Sequence, residues 1–212
     1  MIGSVADLAT EERRSMLALI ETLTVDQWRT QSLCGDWTVR EVVAHHIGYD
    51  LHSTPELLSR MVIGRADPSP RSNRRRVAEL SEMPTADLID AYRSHLRPRG
   101  IAAGFGSRIC LTDCMIHQQD IRRPLGLPRS VPVDRIRPAL NFATYAPPLR
   151  GAIRGRGVRL VAEDIGWSFG RGPEVRGSAE AILLAMGGRT VVLDELRGPG
   201  RDRLARNLGA LD

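Results

Sequence analysis

The sequence contains no lysine. Its 30 cationic residues are all arginine, set against 25 acidic residues for a formal charge of +5. Arginine codons are GC-rich, so the skew reads as coding composition rather than as a surface built for a polyanion. A nucleic-acid binder concentrates its charge in a compact stripe with aromatic platforms. Here the densest group, Arg71, Arg74, Arg75 and Arg76, stands beside Pro68 and Pro70 in what reads as a solvated loop entering a helix. Aromatic residues are scarce at 4%, which leaves Leu, Ile, Val and Ala to make the core. The three cysteines, Cys34, Cys110 and Cys114, are an odd number without framework spacing, which argues against structural disulfides. Cys110 and Cys114, four apart on one helical pattern, read as buried thiols. No apolar run approaches the roughly 18 to 20 residues needed to cross a bilayer. The first residues carry Asp7, Glu11 and Glu12 rather than a basic, then apolar, leader. The expectation is a cytoplasmic protein with no membrane and no nucleic-acid partner.

What is present is helical periodicity over the first two thirds. Leu8, Met16, Leu17, Leu19, Ile20 and Leu23 make the apolar stripe of a first helix over residues 5–24, with Glu11–Arg14 on its outer face. Thr38-Val39-Arg40-Glu41 is a capping box opening a second helix, after a connector over Val25–Trp37. Gly64–Asn73 reads as a loop. Further helices are expected from near Thr85 to before Pro98, from about Ser107 to Arg123, and over Asp134–Tyr145 with a kink near Pro138. Beyond residue 150 the period shortens. Val158–Ala162 and Gly166–Gly170 read as strands, Ser178–Met186 as a helix, Thr190–Leu193 as a strand and Asp202–Leu208 as a last helix. The sequence predicts a mainly α protein with a small α+β domain, divided at Pro147-Pro148 into residues 1–148 and 149–212.

Asp113 and His117 are four apart on the predicted fourth helix, so they share a face one turn apart. With His45 or His46 from the second helix they make three ligands with an open position, the set of a catalytic zinc-type site. The spacing alone is weak, since Glu41 and His45 repeat it and Glu41 is already explained as a cap. His46 fits the apolar stripe of Val39, Val42, Val43 and Ile47 and reads as a core residue with one hydrogen bond. His52, a heptad from His45, fits either an exposed position or the same pocket. Asp120 fits either an orienting partner for His117 or an ion pair with Arg123. His95 reads as surface, Trp37 and Trp167 as packing residues, and Cys34 as a structural thiol with no histidine near it in sequence.

The segment Cys34-Gly35-Asp36-Trp37-Thr38-Val39-Arg40-Glu41-Val42-Val43-Ala44-His45 resembles the second-helix signature of the mycothiol-dependent maleylpyruvate isomerase family, part of the DinB-like superfamily. Asp113-Cys114-Met115-Ile116-His117, followed by Asp120 and Arg123-Pro124-Leu125-Gly126, is similar to the family's second signature. Gly157–Glu163, Gly166-Trp167-Ser168, Gly172–Gly177 and Gly188-Arg189 resemble its C-terminal domain. The resemblance implies a DinB-like four-helix bundle followed by a sterol-carrier-like domain. It implies metal ligands at His45, Asp113 and His117, and zinc and mycothiol as cofactors. Arg189, which matches the family's Gly-Arg pair, fits either a catalytic residue that pairs with a carboxylate or a charge at a helix C-terminus facing the dipole. The implied function is thiolate attack on a small electrophile, as an isomerase or an S-transferase, by a monomer or homodimer. The family's best-known members carry Glu where this chain has Asp113, which leaves as the alternative a non-catalytic binding or regulatory module with a lost or altered metal site.

Overall fold

A computed structural model describes residues 3–35, 37–51, 70–146 and 149–211. It divides into two compact units, Met1–Arg129 and Ser130–Asp212. The Pro147-Pro148 pair expected as the boundary lies outside the described residues, as does His52.

The first unit is helical. Helix α1 spans Val5–Ile20 and α2 is a short turn over Val25–Arg29 inside the expected connector. Helix α3 spans Val39–Leu51, α4 Pro70–Ser81 and α5 Thr85–Ser94. Helix α6, Gly104–Arg122, follows a 3-10 turn over Gly100–Ala103. Residues 70–73, expected in a loop, are therefore the first turn of α4. Proline is tolerated there because its missing N–H would be unpaired anyway. Within α6 the regular right-handed coil begins only after Phe105, Gly106 and Ser107, all three left-handed.

Helix α3 opens at the predicted capping box. The Thr38 hydroxyl accepts from the Glu41 N–H at 3.3 Å, and the Glu41 carboxylate accepts from the Thr38 N–H at 2.8 Å. The Arg40 guanidinium donates to Ser81 O at 2.6 Å and Thr85 Oγ1 at 2.7 Å, tying this end of α3 to the α4–α5 connection. Helix α6 packs against α1 and α3, and α3 against α4. Their shared core holds Met16, Ile20, Val42, Val43, Ile47, Leu88, Tyr92, Cys114 and Ile121.

The reading of Glu11–Arg14 as an outer face is corrected for its two central residues: Glu12 and Arg13 are buried. Each has a partner distant in sequence, which is what makes burial of a charge tolerable. Glu12 takes a bidentate Arg129 at 2.7 and 2.9 Å and the Gln118 amide at 2.8 Å. Arg13 pairs with Asp50 and also donates to the His95 carbonyl. His95 itself is half-buried, its Nδ1 2.7 Å from Ala91 O.

The second unit has α7 over Val133–Ala143, containing Pro138, and α8 over Gly151–Arg154. Strands β1 Arg159–Ala162, β2 Trp167–Gly170 and β3 Glu174–Gly177 form a sheet in the order β2-β1-β3. Strand β1 is antiparallel to β2, pairing Arg159 with Gly170, and parallel to β3, pairing Arg159 with Glu174. Helix α9, Ala179–Met186, packs on α7 and β1, and α10 spans Arg201–Asn207. The strand expected at Thr190–Leu193 is instead a 3-10 turn over Thr190–Glu195, with Val192 and Leu193 buried. β-branched residues favour strands through packing on a pleated surface, and here a turn buries them. Among the described residues no helix is long and apolar enough to cross a membrane.

Candidate metal centre

The site forms where α3, α6 and the loop before α3 meet. Asp113 and His117 project from one face of α6, with His117 Nε2 3.4 Å from Asp113 Oδ1. His45 comes from α3, its ring edge-on to His117 with centroids 5.2 Å apart. One ligand atom from each of His45, Asp113 and His117 lies within 4.8 Å of the other two. The structure thus brings together the three side chains singled out in the sequence. Trp37 packs its ring on His45 at 4.7 Å, and Tyr49 presents its hydroxyl 3.5 Å from His45 Nε2.

The donor set fits a divalent cation. Asp113 Oδ2 is buried without a hydrogen-bond partner among the described residues. Burial pushes the Asp113 carboxyl upward, yet His117, His45 and His46 outweigh it and hold the group well below the ordinary carboxylate range. Burial likewise pushes His117 down, while the Asp113 charge and hydrogen bonds with Asp113, Asp120 and Cys34 raise it above its ordinary range. A carboxylate kept ionised between imidazoles suits a cation.

Asp120 occupies the other side of His117, whose Nδ1 lies 2.8 Å from Asp120 Oδ2. This contact assigns a proton to Nδ1, so that Nε2, which faces Asp113, is the nitrogen that would bind a cation after giving up its own proton. The contact fits the reading of Asp120 as an orienting partner for His117. In metal-free protein, Asp120→Ala removes that grip and is expected to weaken divalent-metal affinity about 10- to 100-fold, read by competition against a chromophoric chelator. An unchanged affinity would mean that packing alone orients the ring.

Cys34 is the residue that the sequence reading missed. It lacks a histidine nearby in sequence, but folding sets its thiol with His117 and Asp120 in a second group whose ligand atoms lie within 4.8 Å. The loop is pinned to α6 by Leu33 N–H donating to Asp120 O at 3.1 Å. Gly35, at φ 58°, supplies the left-handed residue that turns the chain back. Only the tertiary fold creates this contact. Tyr49 was findable, because it follows His45 by four on one helix face. Cys110 and Cys114 are buried free thiols as read, and burial pushes Cys110 up to about 12. His46 is buried, with Nδ1 3.0 Å from the Tyr92 hydroxyl. Arg189 belongs to the second unit, where its Nη1 donates to Gly187 O at 2.7 Å past the end of α9.

Two solved structures resemble the whole chain, the crystal structures of the mycothiol-dependent maleylpyruvate isomerase and of a histidine-to-alanine variant of it. Each aligns over 92% of this chain and 90% of its own, at 16% identity and a TM-score of 0.52. At that identity the likeness defines a fold class: mainly helical with a small three-stranded sheet. No curated protein matches the sequence. Residues 9–102 match the family model described as the mycothiol maleylpyruvate isomerase N-terminal domain. The matched stretch contains His45 and ends before Asp113 and His117.

Proposed function

We propose that this protein is a metal-dependent enzyme that uses mycothiol, a low-molecular-weight thiol, against a small electrophile. The observation that carries the reading is the convergence of His45, Asp113 and His117 from two helices. A divalent cation held there, zinc on the chemistry of two imidazoles and a carboxylate, would lower the pKa of a thiol bound at its open position. Asp120 keeps the proton on His117 Nδ1 and so keeps Nε2 available. Trp37 and Tyr49 pack beside His45 and limit its rotation. Arg189 is proposed to pair with a carboxylate of the substrate, since a guanidinium suits bidentate recognition. The helical unit is read as a DinB-like four-helix bundle and the second unit as sterol-carrier-like.

The reaction class is nucleophilic addition of a thiolate to an electrophilic double bond. Rotation followed by loss of the thiol gives cis–trans isomerisation, and retention of the thiol gives an S-conjugate. The family model that residues 9–102 match and the fold shared with a mycothiol-dependent maleylpyruvate isomerase favour isomerisation. The test supplies maleylpyruvate with mycothiol and follows loss of the cis isomer. Mycothiol-dependent turnover that stops on chelation and returns with zinc supports the proposal. Turnover indifferent to both would sink it. Arg189→Met is expected to raise the KM for maleylpyruvate while leaving metal content unchanged, and an unchanged KM would remove Arg189 from the substrate site.

A further inference from the structure

Two buried polar atoms beside the metal centre face each other without hydrogen-bond partners among the described residues. They are His46 Nε2 and Asp113 Oδ2, 4.0 Å apart. His46 is 1% exposed, so water does not readily satisfy it. Its other nitrogen is engaged: Nδ1 lies 3.0 Å from Tyr92 Oη, with the two rings stacked at 23°. Tyr92 Oη in turn lies 3.7 Å from Cys114 Sγ.

One placement of protons gives every member of this row a role. The Cys114 thiol donates to the Tyr92 oxygen, the Tyr92 hydroxyl donates to His46 Nδ1, and His46 Nε2–H points at Asp113 Oδ2. The reverse placement sets the Nε2 lone pair against a carboxylate oxygen and leaves both buried atoms unsatisfied, which is costly. At 4.0 Å the pair stands beyond hydrogen-bond distance, so this placement requires the carboxylate to turn toward His46.

We infer that His46 is a positioning residue for Asp113, holding the carboxylate by Oδ2 so that Oδ1 faces His117. The inference rests on the reading of His45, Asp113 and His117 as metal ligands. Oδ1 is the oxygen 3.4 Å from His117 Nε2, so the two carboxylate oxygens divide between the ligand group and its support. His46 then does for Asp113 what Asp120 does for His117, and each α6 ligand is held from behind. His46 is still the core residue its place in the apolar stripe suggests. Its second nitrogen adds the support.

Two readouts on the full chain test this. Long-range 1H–15N imidazole spectra of the metal-free protein are expected to show His46 with its proton on Nε2, and Tyr92→Phe is expected to erode that preference. A proton on Nδ1 in the wild type would overturn the inference. Zinc affinity is then measured by chelator competition for the wild type, His46→Leu and His46→Gln. Leucine fills the core without a donor, whereas glutamine sets an N–H near the position of Nε2. Leucine is expected to weaken binding about 10- to 100-fold, with glutamine restoring most of it. Equal affinity in the leucine variant contradicts the inference. Wild-type protein that takes up no zinc would sink the ligand assignment itself, and the tautomer would then decide the His46–Asp113 contact on its own.

Discussion

His117→Ala is expected to reduce divalent-metal affinity by more than about 100-fold, beyond the range typical of losing a supporting residue, and to bring thiol-dependent turnover to background. His117 is where the site's two halves join. Its Nε2 faces Asp113 at 3.4 Å, its Nδ1 meets Asp120 at 2.8 Å, and its ring edge lies against His45. Removing it leaves His45 and Asp113, fewer than the three protein ligands of a catalytic zinc site. It also takes from Asp120 the N–H that this buried carboxylate accepts. Chelator competition reads the affinity, and a thiol-dependent assay on the same preparation reads the turnover. Metal affinity and turnover close to wild type would show that the cation, if one binds, sits elsewhere.

Glu12→Ala is expected to cost about 3 to 5 kcal/mol of stability, the usual consequence of breaking a buried ion pair from one side. The Glu12 side chain is fully buried and that of Arg129 only 7% exposed. Glu12 takes two hydrogen bonds from Arg129 and one from the Gln118 amide, which also donates to the Glu12 carbonyl at 3.0 Å. Alanine leaves the guanidinium without its counter-charge in a place water reaches poorly. Native proteins of ordinary stability hold only about 5 to 15 kcal/mol in total, so the variant should unfold at a clearly lower urea concentration. Glu12→Gln, which keeps a hydrogen-bond acceptor, should lose less. A midpoint unchanged in the alanine variant would mean that the pair contributes nothing net. The expected loss bears on function because Gln118 lies in α6 next to His117, so this cluster ties α1 to the helix that carries two of the three candidate ligands.

How much of this was legible in the sequence depended on distance along the chain. The capping box at Thr38 and Glu41 is local, and the structure reproduces it atom for atom. The pairing of Asp113 with His117 is also local, one helical turn. The choice between His45 and His46 was not, because both lie on α3. Resemblance favoured His45, and only the packing of α3 on α6 sets it beside His117 while turning His46 toward Tyr92. The burial of Glu12 and Arg13 was hidden for the same reason: their partners, Arg129 and Asp50, are far away in sequence, and two adjacent charges on a helix ordinarily face solvent. Cys34 shows the limit most clearly, since its histidine neighbour is supplied by a turn through Gly35 and a backbone hydrogen bond from Leu33 to α6. In the second unit, β1 and β2 followed from their apolar alternation. Strand β3 did not, because Glu174 and Arg176 interrupt a run of only four residues and pairing with β1 makes it a strand.

The most direct test of the metal centre is elemental analysis of the protein purified without a metal-affinity tag, with His45→Ala and His117→Ala prepared alongside. The account predicts about one zinc or similar divalent ion per chain, as a three-ligand site holds, and its loss from both variants. Protein that carries no metal and takes none up when zinc is supplied would contradict it.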